Sequence, residues 1–282
     1  MTNYGIIGCG MMGHEHLSNI ALLDGTNIAA IYEPDREMAA SAFKAAPNAI
    51  MATSIEHLLS VSNLDCLVIA SPNHCHMAQM QQIAGSRPLP LLVEKPLFTA
   101  VEDQSAILQF SKTYPSPVWV AMEYRYMPPV AALIDRAEDA TGGIKMLTIR
   151  EHRFPFLRKV GNWNRFNENS GGTFVEKCCH FFDLMRLILK SEPRRIMASA
   201  GQDVNHLNET YDVKSMIYFW GSNKKVELYN TVYEVNRYDS EDPELFMAHG
   251  DGNDPVTPYE GALALQDIYD SLGIHSELVT LE

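Results

Sequence analysis

The chain has 282 residues, 46% hydrophobic and 20% charged, a composition that excludes a disordered tail, a collagen-like repeat and a small disulfide scaffold. Asp and Glu outnumber Lys and Arg by 35 to 22, a net charge of −13, so nucleic acid is not an expected partner: a phosphate-tracking surface would work against the field of the whole protein. The five cysteines lack C-x-x-C spacing and read as reduced thiols, and neither a signal-like opening nor an apolar run of membrane-spanning length is present, so a cytoplasmic protein with no membrane partner is expected.

The first 122 residues alternate short apolar runs with helical patterns, the order of a doubly wound parallel sheet. Strands are predicted at Tyr4–Ile7, Asn27–Glu33, Leu64–Ser71, Pro90–Glu94 and Val118–Met122. Helices are predicted at Met12–Leu23, Asp35–Ala46, Ile55–Ser60, His74–Gly85 and Ala100–Lys112. The first strand runs into Gly8-Cys9-Gly10-Met11-Met12-Gly13, a G-x-G-x-x-G between strand and helix. In a dinucleotide fold Gly8 permits the tight turn, Gly10 lets the backbone approach a pyrophosphate, and Gly13 lets helix and strand pack closely.

A second signal follows at the end of the next strand. Glu33 is placed to accept hydrogen bonds from an adenosine ribose and to repel a 2′-phosphate, which favours NAD over NADP, although Arg36 just beyond it is a residue suited to the 2′-phosphate. Ligands in open α/β sheets bind at the carboxyl ends of the strands, which brings in Ser71-Pro72-Asn73-His74 and Glu94-Lys95-Pro96. Asn73 suits ribose or nicotinamide, and equally suits a helix cap. Lys95 would deliver a cation to the oxygen on the reacting carbon.

In this order, Gly8-x-Gly10-x-x-Gly13, Glu33, Pro72-Asn73-His74, Glu94-Lys95-Pro96, Tyr124-Arg125-Tyr126 and a Gly171-Gly172 segment leading to a histidine resemble the landmarks of the glucose–fructose oxidoreductase / inositol dehydrogenase / rhizopine-catabolism (Gfo/Idh/MocA) family of NAD(P)-dependent oxidoreductases. The segment from Pro255 to Leu265 resembles the family's closing stretch. The resemblance implies an N-terminal Rossmann domain over 1–122 and a C-terminal α+β domain over 123–282. That second domain would have an open, mostly antiparallel sheet that forms a homodimer or homotetramer. Strand-like runs at Ile144–His152, Arg194–Ala200, Val213–Trp220 and Lys225–Tyr233 fit such a domain. Between the Gly201–His206 stretch and Asp251-Gly252 the chain has fewer strand-like residues than the family usually has, so the sheet domain is expected to be shortened.

The run from Gly171 to Asp183 resembles the family's catalytic segment, with Glu176 where the family usually has Asp. At about 100° per residue a continuous helix puts Glu176, His180 and Asp183 on one face. Thr173 to Glu176 also fits a capping box, in which Glu176 would turn back to the Thr173 amide. The resemblance implies His180 as the base, Lys95 as the stabilising cation and Glu176 as the residue that orients or charge-balances them. Met11, Met12, Ser71, His76 and Glu94 complete the expected cofactor set; Arg125, Tyr126, Trp163 and Asp183 are the expected substrate contacts. No metal is expected: Cys178 and Cys179 point about 100° apart on a helix and cannot both join His180 in a tetrahedral site.

The expected function is hydride transfer between a nicotinamide cofactor and a secondary hydroxyl of a sugar, inositol or related polyol. The alternatives are glycoside cleavage by transient oxidation on the same fold and a shortened, non-catalytic or regulatory paralogue.

Overall fold

The computed structural model describes residues 1–151, 159–201, 212–220, 224–230, 245–250 and 276–281, with residues 263, 266, 267, 270, 271 and 273. The described chain forms two compact units, one of residues 1–122 and 159–179, the other of 123–151, 180–201 and the described residues from 213 onward.

In chain order the first unit begins β1 (Thr2–Ile7), α1 (Met11–Ala21), β2 (Thr26–Tyr32), α2 (Arg36–Ala45), β3 (Ile50–Ala52), α3 (Ile55–Ser60) and β4 (Cys66–Ile69). It continues α4 (His76–Ser86), β5 (Leu91–Glu94), α5 (Gln104–Thr113) and β6 (Val118–Ala121). The sheet order is β3-β2-β1-β4-β5-β6, and every pairing is parallel, so this is the expected doubly wound sheet. The order reverses between β1 and β4, and ligands bind at such a switch point.

Side-chain alternation explains the two helical layers. Ile7, Ala30, Leu67, Ile69 and Val93 join Leu58, Met80, Ile83 and Phe110 of α3, α4 and α5 on one face. Their neighbours Ile6, Ile31 and Val68 join Leu17, Ile20 and Ala42 of α1 and α2 on the other. Helix starts follow local chemistry: Asp35 accepts from the Glu37 and Met38 amides at 3.0 Å, and Ser54 from the His57 amide at 3.1 Å.

β1 and β5 end where the sequence pattern does, whereas β2, β4 and β6 end one or two residues earlier, leaving Glu33, Ser71 and Met122 just beyond them as loop residues. The three-residue edge strand β3 was not anticipated. A 3₁₀ turn, Asn73–Cys75, precedes α4, where the pattern suggested one helix from His74.

The second unit holds α6 (Pro128–Ala140), β7 (Met146–Glu151), β8 (Pro193–Gly201), β9 (Asp212–Trp220), β10 (Lys224–Asn230), β11 (Leu245–Gly250) and β12 (Ser276–Leu281). Its four-stranded sheet has the order β7-β10-β9-β8, with β10 antiparallel to β9 and parallel to β7; β11 and β12 pair as a separate parallel ribbon. The 202–206 stretch, Asp251-Gly252 and most of the 255–265 segment lie outside the described residues.

The continuous helix expected from Gly171 to Asp183 is a correction. Short helices α7 (Asn167–Ser170) and α8 (Gly172–Glu176) are followed by α9 (Cys178–Leu189), with a break at Lys177 (φ −113°, ψ −49°). The Glu176 carbonyl, which a continuous helix would offer to the His180 amide, accepts from Lys95 Nζ at 3.1 Å. The regular 100° spacing expected from Glu176 to His180 and Asp183 is therefore interrupted at Lys177.

Candidate functional site

A cavity of about 720 Å³ opens in the first unit, reaching from the turn after β1 to the loops after β2, β4 and β5. Of the expected cofactor residues, Gly8, Gly10, Met11, Met12, Glu33, Ser71, Asn73, Glu94 and Lys95 line it. Two glycines allow the close packing of the turn beside it. At Gly8 (φ 89°) a Cβ would meet the Ser71 backbone nitrogen at 2.5 Å, and at Gly13 a Cβ would lie 2.2 Å from the Gly8 carbonyl oxygen. A Cβ on Gly10 would meet nothing within 4 Å, so there the cavity itself is what the missing side chain leaves open.

Gly13 and His76 do not line the cavity. His76 is fully buried with Nδ1 2.8 Å from the Pro96 carbonyl oxygen and Nε2 2.9 Å from that of Ser71, so it ties together the loops after β4 and β5. Burial pushes its pKa down, against the pull of those carbonyls and of Glu94 and Glu176. A neutral ring donates to one of the two carbonyls only.

Glu33 is held from both sides: the Cys9 amide donates to Oε2 at 2.6 Å and the Asp35 amide to Oε1 at 2.8 Å. The carboxylate is thereby fixed beside the glycine turn, with lone pairs left for a ligand hydroxyl. Burial, and then the Glu33 charge, push the Cys9 thiol up to about 12. Arg36 is exposed and does not line the cavity, whereas Asp35 does.

Lys95 and Lys159 line the opposite end of the cavity and face Glu176, which is 1% exposed. Asn73 Nδ2 donates to its Oε2. Its Oε1 faces three ammonium groups, Lys159 at 3.6 Å and Lys95 and Lys177 each at 3.9 Å. Burial alone would raise this carboxyl, but Lys95, then Lys159 and Lys177, with the Asn73 hydrogen bond, hold it below the ordinary carboxylate range. The capping box does not describe Glu176: α8 is capped at Gly171, and the side chain faces Asn73 and the lysines. Glu94, 5% exposed, accepts from His16 Nε2 at 2.7 Å through its Oε1.

Lys95 and Glu176 thus meet within the first unit. His180 belongs to the second, 3% exposed, stacked on Tyr124 with ring centroids 4.1 Å apart and with Nε2 3.4 Å from Glu123. Arg125 grips Asp183 through both carboxylate oxygens, with Nε to Oδ2 at 2.6 Å, so these two expected substrate contacts pair with each other. Tyr126 is 59% exposed. Trp163 lines the first unit's cavity, edge-on to His74 and with Lys159 Nζ 4.5 Å from its ring centroid.

Sequence reasoning missed Lys159, His14 and Gln79, which also line the cavity; Ser71 Oγ donates to Gln79 Oε1 at 2.6 Å. Only the i, i+3 spacing onto α4 could have pointed to Gln79, and no pattern marks Lys159. Among the described residues no three His, Cys, Asp or Glu side chains gather as metal ligands, and no helix is long and apolar enough to cross a membrane.

Comparison with known proteins agrees with this geometry. A family profile described as "Oxidoreductase family, NAD-binding Rossmann fold" matches residues 2–122, and its companion, the family's C-terminal alpha/beta domain, matches residues 137–237. The rhizopine catabolism protein MocA of Rhizobium meliloti is 27% identical over 202 residues, which take in 68% of this chain and 59% of that protein. An inositol 2-dehydrogenase of Rhizobium meliloti (strain 1021) is 24% identical, over 84% of this chain and 71% of its own. The structure of myo-inositol dehydrogenase from Lactobacillus casei in complex with NAD(H) and myo-inositol superposes with a TM-score of 0.68 at 20% identity, covering 82% of this chain and 68% of that one. The chain spans less than two thirds of the length of the rhizopine protein it matches. With both family domains matched in order and the glycine turn, Glu33 and Lys95 on one cavity, the chain belongs to the Gfo/Idh/MocA oxidoreductase family.

Proposed function

We propose that the protein is an NAD-dependent dehydrogenase that oxidises a secondary hydroxyl of a sugar, inositol or related polyol. The observation that carries this reading is one cavity lined at one end by the glycine turn and Glu33 and at the other by Lys95 held on Glu176. The fit to a dinucleotide is physical: open space over Gly10, close approach at Gly8 and Gly13, and a fixed carboxylate at the ribose position. Glu33 and Asp35 together disfavour a 2′-phosphate, which supports NAD over NADP. The inositol dehydrogenases among the relatives support the polyol class.

When bound, the nicotinamide ring supplies the hydride acceptor. Lys95 would stabilise the alkoxide that forms as the hydroxyl proton leaves, and Glu176 would keep that ammonium charged and placed. His180 would take the proton, since imidazole titrates near neutral pH. Residues 1–122 would serve the cofactor and 123–282 the substrate. Arg125, Tyr126, Trp163 and Asp183 would shape the substrate side. Ile196 and Met197, 57% and 56% exposed on the edge strand β8, support a homo-oligomer built through this sheet. The free cysteines support a place in the reducing cytoplasm.

A screen of sugars and inositols for NAD reduction, repeated with Lys95→Met, tests this. The variant should bind NADH within about twofold of wild type while kcat falls on the order of 100-fold. Parallel loss of NADH binding would remove Lys95 from the chemical step, and a wild type that binds NADH but oxidises no polyol would contradict the substrate class.

A further inference from the structure

Lys159 is the one residue of the Glu176 cluster that no sequence pattern marks. It lines the same cavity as Lys95 and the glycine turn, and its side chain is 22% exposed. Its ammonium rests 4.5 Å from the centroid of the Trp163 ring, a placement that holds the charge without providing a hydrogen-bond acceptor. The acceptor it faces, Glu176 Oε1, stands at 3.6 Å, beyond hydrogen-bond length. That carboxylate is shared with Lys95 and Lys177, each 3.9 Å from the same oxygen.

Charge balance points the same way. One carboxylate faces three ammonium groups, and the neighbouring Glu94 is engaged by His16. Burial, with Lys95 adding repulsion and Glu176 opposing it, makes the Lys159 cation costly to keep where it is. A half-buried cation with three donors, open to a cavity and facing a carboxylate that two other ammonium groups share, is a site for an anionic oxygen.

We propose that Lys159 is the anion-recognising residue of this cleft, donating to an oxygen of a carboxylate or phosphate carried by the bound ligand. Two sources share that chemistry: the carboxylate of a sugar acid, which would narrow the substrate class from neutral polyols, and the pyrophosphate of the dinucleotide. The first deepens the dehydrogenase reading and rests on it for the substrate's place; the anion site itself rests on the cleft alone.

The test is a pair of calorimetric titrations on wild type, Lys159→Met, Lys159→Gln and Lys159→Arg, each checked for native circular dichroism. The first compares D-glucuronate with D-glucose in the presence of NADH, and the second titrates NADH alone. If the anion is the substrate's, wild type binds D-glucuronate about tenfold more tightly than D-glucose, Met and Gln abolish the difference, and Arg keeps it. If it is the cofactor's, NADH binding weakens about tenfold in Met and Gln and the two sugars are bound alike. The proposal is overturned if Met and Gln bind NADH as wild type does and wild type shows no preference for D-glucuronate. Should wild type bind no NADH, the dinucleotide reading fails by itself; the sugar titration of the same protein still decides the anion site.

Discussion

Lys95 Nζ donates to the main-chain carbonyl of Glu176 at 3.1 Å and stands 3.9 Å from the carboxylate of the same residue. Eighty-one positions separate the two in sequence. One lysine thereby both ends the helix that carries Glu176 and shares the charge that keeps Glu176 ionised in the interior.

Removing that charge should be expensive. Glu176→Gln leaves the lysines facing a neutral amide, and a loss of about 3 kcal/mol in urea unfolding at pH 7 is expected. The folded carboxyl lies below its unfolded value, so its contribution is complete above the ordinary carboxylate range and is lost as pH falls through the folded value. Wild type and Glu176→Gln should therefore converge in acid. A constant gap down to about pH 3 would show that Glu176 is not held ionised by its neighbours.

Two alanine substitutions in the glycine turn should separate folding from binding. In Gly13→Ala the new Cβ would sit 2.2 Å from the Gly8 oxygen, backbone that must shift, with about 1–3 kcal/mol lost. Gly10→Ala meets nothing within 4 Å, so it should unfold within about 0.5 kcal/mol of wild type yet bind NADH at least about tenfold more weakly. Equal stability losses in the two would contradict this reading of the turn.

Glu33→Ala removes the acceptor for the Cys9 and Asp35 amides as well as the expected ribose contact. Competition titrations should find the NADH over NADPH preference reduced about tenfold, with a stability loss of about 1 kcal/mol from the two orphaned amides. An unchanged preference would take Glu33 out of the cofactor site.

Cys9 should be the least reactive thiol in the turn region. It is fully buried and its thiol is pushed up to about 12, so at pH 8 it carries almost no thiolate. Mass spectrometry after iodoacetamide treatment should find Cys9 labelled only after denaturation, and after the half-buried Cys75. Early labelling of Cys9 would mean that the glycine turn opens readily.

Local signals made the first sheet legible. Gly8, Gly10 and Gly13 fall within six residues of one strand-to-helix turn, and Glu33 directly follows the strand paired beside it. Alternation in Ile6-Ile7 and Leu67-Val68-Ile69 reported both faces of the sheet. What stayed hidden depends on partners far along the chain. The break at Lys177 involves Lys95, the Glu176 carboxylate is claimed by Asn73, and Lys159 is placed by Glu176 and Trp163 without any periodic pattern of its own. The edge strand β3 has only three residues, too few for alternation to register.

Calorimetric titration of the purified, cofactor-free protein with NADH and, separately, NADPH tests the dinucleotide cleft most directly. NADH should bind at one site per chain, and NADPH at least about tenfold more weakly, since Glu33 and Asp35, both lining the cavity, would repel a 2′-phosphate. A folded sample that binds neither would contradict the reading of the glycine turn, Glu33 and Lys95 as one cofactor site.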